Sequence, residues 1–297
     1  MTATRLFGCG TALVTPFARD GAVDERALRA LVDWQIAEGI DYVVPCGSTG
    51  EAATLSPAEH RRVVEIVVEQ SAGRVPVMAG AGSNDTRKAI TLSREMQAAG
   101  ATHLLHVSPM YNKPPQRGIL AHFRAIAEAV QLPIVLYNVP GRTASNMEAA
   151  TSLALASVPN IVGIKEASGD IAQITAIIRE RPEHFAVISG DDALTTAVVA
   201  AGGDGVISVV SNATPRLMSR LVACCRAGDQ AEAQRLEAQL TPWMRAAFLE
   251  SNPLPVKAAL AMMGRIENVL RLPLVPLEPS YAGAVRSALA AAEVALT

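Results

Sequence analysis

A lysine at the end of an apolar run is the clearest chemical signal in this sequence. All but four of the 26 basic residues are arginine, and the four lysines are Lys88, Lys113, Lys165 and Lys257. Lys165 directly follows the apolar residues 161–164. Burial lowers the pKa of a lysine amine, which can then attack a carbonyl carbon and form a Schiff base, whereas an arginine stays protonated. The alternative is a structural ion pair with Glu166 or another carboxylate, and a direct pair with Glu166 is disfavoured because adjacent residues of a strand face opposite ways.

The preceding apolar run offers a proton shuttle for such chemistry. Tyr137, one of four tyrosines, lies near the end of that run. A phenol can carry protons to and from an iminium nitrogen if further hydroxyl groups relay them, and Thr49 and Tyr111 are the candidate relay. Taken alone, Tyr137 is equally compatible with a tyrosine packed in the core.

Two further segments have the residue types that bind a carboxylate. Ser48 and Thr49, in the sequence GSTGE at 47–51, combine hydroxyl groups with backbone N–H groups beside glycines, a pattern found in anion-binding turns. Arg142 follows a Pro-Gly pair and could hold a carboxylate through two parallel hydrogen bonds. An ordinary turn and a solvated arginine are the alternative interpretations.

The elements that would position these residues form a repeating pattern. Eight short, mostly apolar runs alternate with helical segments, and they lie at residues 10–15, 42–47, 75–80, 103–109, 133–139, 161–165, 185–190 and 205–210. Uninterrupted apolar runs of this length are typical of parallel strands buried on both faces. The pattern predicts an α/β fold, a TIM (β/α)₈ barrel, in which active sites lie at the carboxyl ends of the strands. An open doubly wound sheet normally has fewer strands and a GxGxxG turn, which does not follow the first run.

The chain beyond the eighth run is predicted to be helical. Earlier, the capping box at residues 56–59, with proline at the first helical position, predicts a helix that ends near Gly73. After residue 228 the strands cease, and residues 230–249, 255–263 and 279–296 are predicted to form three helices. We therefore expect a barrel domain over residues 1–228 and a C-terminal three-helix segment over residues 229–297.

The composition argues against several classes of protein. A net charge of -2 and a pI of about 6.2 provide no basic face for nucleic acid or for a membrane surface. The sequence has no apolar run of 18 residues and no signal-peptide pattern, so a cytoplasmic protein is expected. The four cysteines and five histidines lack the spacings of a metal site, so we expect reduced thiols, no metal and no cofactor.

Taken together, these segments resemble the dihydrodipicolinate synthase/N-acetylneuraminate lyase family of class I aldolases. The resemblance covers nearly the whole chain, and its motifs lie at residues 11–17, 47–51, 111–114, 136–140, 163–170, 189–192, 205–209 and 252–257. One such motif would be weak evidence, but eight in the right order are strong evidence. The resemblance implies the barrel fold, a homotetramer of tight dimers, and small-molecule substrates.

The resemblance also implies catalytic roles. Lys165 matches the lysine that forms a Schiff base with pyruvate, and Tyr137 matches the general acid/base. Thr49 and Tyr111 match the proton relay, with Tyr111 reaching in from a neighbouring subunit. The implied reaction condenses pyruvate with L-aspartate-4-semialdehyde to give 4-hydroxy-tetrahydrodipicolinate, the branch point to lysine and diaminopimelate.

Substrate-binding roles follow from the same resemblance. Ser48 and Thr49 match the site of the pyruvate carboxylate, and Gly190 and Ile207 match backbone positions that line the pocket. Arg142 matches the arginine that holds the carboxylate of aspartate semialdehyde, and neuraminate lyases generally lack it. The commoner residue at position 48 is threonine, and serine also occurs there in sugar-acid lyases.

One feature departs from family members that are inhibited by lysine. Where those carry a histidine, a glutamate and a tyrosine, this chain has Pro57, Lys88 and Met110, although His60 and Asn84 match. Placing a cation where an acid would face the amine of lysine disfavours a cationic effector. We therefore expect weak or absent inhibition by lysine.

Two other functions remain open from the sequence. A class I aldolase or lyase acting on a sugar acid or hydroxy-oxo acid would use the same lysine with another aldehyde, and Arg142 argues against a polyol acceptor. A non-catalytic ligand-binding descendant of the barrel is the other, and the complete set Lys165, Tyr137, Thr49 and Tyr111 argues against it.

Overall fold

Eight parallel strands form the barrel that the sequence predicts. The computed structural model describes residues 6–296. The strands are β1 Gly8–Ala12, β2 Tyr42–Val44, β3 Met78–Gly80, β4 His103–Val107, β5 Ile134–Asn138, β6 Ile161–Glu166, β7 Ala186–Ser189 and β8 Gly205–Ser208. They pair in the order β2-β1-β8-β7-β6-β5-β4-β3, and a parallel bridge between Val43 and Val77 connects the two ends of this sheet. Each of the eight predicted runs contains most of one strand, so the predicted fold class is confirmed.

Helices connect the strands and cover the outside of the barrel. They are α1 Glu25–Ala37, α2 Pro57–Ser71, α3 Thr86–Ala98, α4 Gln116–Ala129, α5 Pro140–Thr143, α6 Ala149–Ala156, α7 Ile171–Glu180, α8 Thr195–Ala200, α9 Pro215–Ala227, α10 Gln230–Ala246, α11 Leu254–Met262 and α12 Ala282–Ala291. The predicted capping box is present, because Ser56 Oγ accepts from the Glu59 amide while the Glu59 carboxylate accepts from the Ser56 amide. None of the helices within residues 6–296 is long and apolar enough to cross a membrane.

The C-terminal segment is helical as expected, with one correction. The helix predicted at 279–296 begins with a 3₁₀ turn and ends at Ala291, because Glu293 adopts a left-handed conformation (φ 57°) that breaks the helix. The segment packs onto the barrel, where the indole N–H of buried Trp243 donates to the Val210 carbonyl at 3.1 Å. The predicted boundary at 228/229 falls at the turn after α9, and the division into two domains stays a prediction.

Two layers of apolar side chains hold this architecture together. One lies between the barrel and its helices, and the other fills the barrel interior. The aromatic rings of the interior layer are those of Tyr42 and Tyr137, and the Tyr42 side chain is fully buried. Tyr42 fits because Gly10 faces it, since a Cβ at Gly10 would lie 2.0 Å from the Tyr42 ring. The filled interior makes the barrel a rigid support for side chains at the strand ends.

Candidate active site

A cavity of about 200 Å³ opens at the carboxyl ends of the strands. Six of the eight residues predicted from the sequence line it, and they are Ser48, Thr49, Tyr137, Arg142, Lys165 and Gly190. Strand pairing explains the central arrangement, because Tyr137 of β5 and Lys165 of β6 are register partners. Neighbouring parallel strands therefore present both side chains at the same level of the barrel.

Lys165 has the properties of an amine nucleophile. Its side chain is buried, and its Nζ lies 4.4 Å from the centroid of the Tyr137 ring. Burial lowers the pKa of Lys165 to about 8, the charge of Asp192 opposes this change, and the charge of Arg142 adds to it. A measurable fraction of the amine is therefore neutral at physiological pH.

Tyr137 is held in its protonated form. Burial raises the pKa of this phenol to about 12, and the positive charge of Arg142 partly offsets the effect. The hydroxyl group is therefore a proton donor at neutral pH. It can accept a proton only as its own proton passes to another group. This is the behaviour that a proton shuttle beside Lys165 requires.

Glu166 is not the partner of Lys165. Its carboxylate accepts hydrogen bonds from Asn138 Nδ2 at 3.1 and 3.2 Å, from Gln173 Nε2 at 3.0 Å and from the Ser168 amide at 2.7 Å. These donors lie on the outer side of the sheet, as the alternation of side chains along β6 predicts. A direct ion pair between Lys165 and Glu166 is therefore excluded.

Asp192 affects the pKa of Lys165, and the sequence interpretation did not include it among the site residues. It is buried at the start of the 3₁₀ turn Asp192–Leu194, and its Oδ2 accepts from the backbone N–H groups of Val209 and Val210 at 3.0 and 3.2 Å. Its charge keeps the pKa of Lys165 from falling further. The signals in the sequence were its place in the loop after the seventh strand and in the motif at residues 189–192.

Gly190 leaves room beside the nucleophile. A Cβ at this position would lie 2.7 Å from the Ala167 Cβ and 3.0 Å from the Lys165 Cε. The amide of Gly190 donates to the Glu166 carbonyl at 2.7 Å, which fixes the backbone close to Lys165. A side chain here would displace the lysine or fill the cavity, so a glycine suits this position.

The turn after β2 carries one buried and one exposed hydroxyl group. Thr49 is buried and Ser48 is exposed, and backbone hydrogen bonds from Gly50 to Gly47 and from Glu51 to Ser48, both 3.1 Å, close the turn. Both hydroxyl-bearing residues line the cavity. The turn thus has the donors and the position that a carboxylate site needs.

Two predicted residues do not line this cavity within the single chain. Tyr111 is 88% exposed, with a left-handed backbone (φ 71°), and its amide donates to the Thr143 carbonyl at 3.2 Å. Ile207 is fully buried inside the barrel as the register partner of Gly10. Val209, two residues closer to the open end on the same side of the chain, lines the cavity instead.

A barrel with a buried, partly neutral lysine at the end of its sixth strand has the architecture and the nucleophile of a Schiff-base lyase. A model of the dihydrodipicolinate synthetase family matches residues 5–292. The chain therefore belongs to the dihydrodipicolinate synthetase family.

Similar proteins span nearly the whole chain. A 4-hydroxy-tetrahydrodipicolinate synthase of Koribacter versatilis is 55% identical over 276 residues, which are 93% of this chain and 92% of that protein. The chloride-inhibited dihydrodipicolinate synthase from Acinetobacter baumannii, solved with pyruvate, is 44% identical, with a TM-score of 0.96 over 97% of this chain and 99% of the other. The enzyme from Cyanidioschyzon merolae, solved with lysine bound, is 42% identical, with a TM-score of 0.95 over 98% of this chain and all (100%) of the other.

Proposed function

We propose that this chain is a lyase that condenses pyruvate with L-aspartate-4-semialdehyde to 4-hydroxy-tetrahydrodipicolinate, a step of lysine and diaminopimelate biosynthesis. The observation that carries the proposal is the buried Lys165 amine, whose pKa is lowered to about 8, beside the protonated Tyr137 in one cavity. The names and coverage of the relatives support the same reaction.

The first half of the reaction forms an enamine on Lys165. The neutral amine attacks the ketone carbon of pyruvate, Tyr137 donates a proton to the departing oxygen, and water leaves as the iminium forms. The iminium draws electrons from the neighbouring methyl group, whose proton then leaves to give the enamine. Ser48 and Thr49 hold the pyruvate carboxylate and so fix the methyl group relative to Tyr137.

The second half joins the two substrates. The enamine carbon attacks the aldehyde carbon of aspartate semialdehyde, and the aldehyde oxygen takes up a proton. The amino group of the second substrate then attacks the iminium carbon, which closes the ring and releases Lys165 as an amine. Arg142, at the rim of the cavity on α5, is placed to bind the carboxylate of this second substrate.

Reduction with borohydride tests the proposal directly. Borohydride reduces an iminium to a stable secondary amine, so pyruvate should leave a covalent mass increase on a peptide containing Lys165. Turnover with aspartate semialdehyde should accompany it. An adduct without this turnover would favour a lyase acting on another aldehyde, and no adduct would favour a non-catalytic barrel.

A pH dependence follows from the lowered pKa of Lys165. Because the attacking form is the neutral amine, the rate of adduct formation should rise about tenfold per pH unit below 8 and level off above it. The measurement is the rate of pyruvate adduct formation between pH 6 and 9.5. A rate that stays constant from pH 6 to 8 contradicts the assignment of Lys165 as the attacking amine.

The proposed assembly is a homotetramer of tight dimers. Tyr111 is 88% exposed and Leu272 is 80% exposed, and burial of such side chains against a second copy would remove apolar surface from water. In this assembly Tyr111 completes the proton relay of the neighbouring subunit. The proposed location is the cytoplasm, where the four free cysteines would remain reduced.

Lysine should inhibit this enzyme weakly or not at all. Lys88 is exposed on α3, Pro57 occupies the first turn of α2, and the ring of His60 is engaged with the Gly80 carbonyl at 2.8 Å. A cation at position 88 repels the ammonium groups of lysine. We expect activity to stay within about twofold in millimolar lysine, since like charges disfavour binding.

A charge reversal provides the control for this prediction. The double variant Lys88→Glu/Met110→Tyr should gain sensitivity to lysine, whereas Arg87→Glu, a change on the exposed neighbour, should not. Inhibition of the unmodified enzyme by submillimolar lysine contradicts the prediction.

A further inference from the structure

The C-terminal segment contacts the Ser48–Thr49 turn directly. Nδ2 of Asn252 donates to Oγ1 of Thr49 at 2.8 Å, and both side chains are buried. Asn252 lies at the end of the loop that follows α10, 203 residues further along the chain than Thr49, and it lines the cavity. Because Oγ1 of Thr49 accepts this bond, the hydroxyl hydrogen of Thr49 points away from Asn252 and is available to another acceptor.

A buried ion pair fixes the other end of the turn. Nζ of Lys257 lies 2.6 Å from Oε1 of Glu51, and neither side chain is exposed to solvent. Oε2 of Glu51 accepts from the backbone N–H of Arg271 at 3.2 Å. Glu51 itself has a left-handed backbone (φ 53°), a conformation that persists only when its surroundings hold it.

The same lysine also holds the strand-end segment beneath the turn. Nζ of Lys257 donates to the Thr15 carbonyl at 2.9 Å, and the Thr15 hydroxyl donates to the Gly50 carbonyl at 2.7 Å. The turn residues 47–51 are thus linked to α11 both through Glu51 and through Thr15. A shift of Lys257 would move the backbone that bears Ser48 and Thr49.

We propose that Lys257, through Glu51, and Asn252, through Thr49, are positioning residues for the carboxylate-binding turn. The C-terminal segment is then part of the site although it touches no reacting atom of pyruvate in this scheme. Lys257 sets where the turn lies, and Asn252 sets which way the Thr49 hydroxyl points. This inference rests on the proposed function, because it assigns the turn to the pyruvate carboxylate.

The two residues should have different kinetic signatures. Binding of the carboxylate contributes both before and during reaction, so loosening the turn through Lys257 should raise KM for pyruvate more than it lowers kcat. The Thr49 hydroxyl relays protons in this scheme, so loss of Asn252, which orients that hydroxyl, should lower kcat more than it raises KM for pyruvate. KM for aspartate semialdehyde should change little, because within residues 6–296 no hydrogen bond or ion pair joins Arg142 on α5 to Lys257 or Glu51, whose partners are Thr15, Arg271 and each other.

A neutral double variant tests the first assignment. Glu51→Gln/Lys257→Met removes both buried charges together, so no unpaired charge remains in the interior. Arg181→Met/Asp204→Asn is the matched control, because this ion pair is also largely buried and lies where β8 begins, at the opposite end of the barrel from the cavity. We expect about a tenfold rise in KM for pyruvate in the first variant and less than twofold in the control. An unchanged KM for pyruvate, or equal rises for both substrates, overturns the assignment.

A mutant cycle tests the second assignment without disturbing the buried charges. Asn252→Ala should lower kcat about tenfold in the unmodified enzyme but by less than twofold in a Thr49→Val background, because its effect acts through the Thr49 hydroxyl. Equal effects in both backgrounds overturn the assignment. Borohydride trapping of pyruvate by the unmodified enzyme distinguishes failure of the proposed function from failure of this inference. If the unmodified enzyme forms no adduct, the proposed function is refuted. If it forms the adduct but the variants have the kinetic constants of the unmodified enzyme, only this inference is refuted.

Discussion

Replacing Lys165 with arginine should lower turnover by at least about 10⁴-fold and abolish the borohydride-trapped pyruvate adduct, as expected for loss of a covalent nucleophile. The guanidinium of arginine stays protonated at every pH at which the protein is folded, so it cannot attack the ketone. The positive charge near Asp192 is kept, and we therefore expect the barrel to fold and the melting temperature to fall by only a few degrees. Steady-state assays, intact-mass analysis and a thermal melt measure the three results.

Lys88→Arg is the matched control for this substitution. It makes the same chemical change at an exposed position on α3, away from the cavity, so activity and adduct should both remain. Turnover by the Lys165→Arg protein above a few per cent of the parent would mean that another group forms the bond to pyruvate or that no such bond is needed. A variant that fails to fold would be replaced by Lys165→Met, which removes the amine without adding volume.

The barrel could be predicted because its physical cause is visible in the sequence. Strands buried on both faces are apolar at most positions, and runs such as 161–164 and 185–188 stand out from the helices between them. Strand ends then identify Lys165 and Tyr137 as candidates for the same site. Their register could not be predicted, because the pairing of β5 with β6 contains an irregularity between Ile134 and Val135.

Contacts between residues far apart in the sequence could not be predicted. Nothing local to Asn252 shows that it bonds to Thr49, and nothing local to Lys257 shows that its charge is buried against Glu51. The resemblance placed Ile207 in the pocket, but it does not tell how far down the strand the cavity reaches. In the structure Ile207 is buried inside the barrel and Val209 lines the cavity. Tyr111 is exposed in the single chain, and its place in the proton relay of a neighbouring subunit stays a prediction.

Arg142 should decide which aldehyde the enzyme accepts. Arg142→Ala is expected to lower kcat/KM for aspartate semialdehyde by roughly 10²-fold, because two charge-assisted hydrogen bonds at the low end of their range contribute about 3 kcal/mol. The pyruvate adduct should still form, since Lys165 and the turn at Ser48 are untouched. Removing the positive charge should also shift the acid limb of adduct formation to higher pH, because Arg142 helps to lower the pKa of Lys165.

An exposed arginine outside the cavity provides the control for Arg142→Ala. Arg117→Ala on α4 removes the same charge from the whole protein but not from the cavity, so it should alter neither kcat/KM nor the pH profile. Arg142→Lys should recover part of the activity, since it restores the charge but not the paired hydrogen bonds. An Arg142→Ala enzyme that keeps full activity with aspartate semialdehyde would remove the structural basis for a charged acceptor. An acceptor without a carboxylate, such as the aldehyde of a sugar acid lyase reaction, would then explain the cavity better.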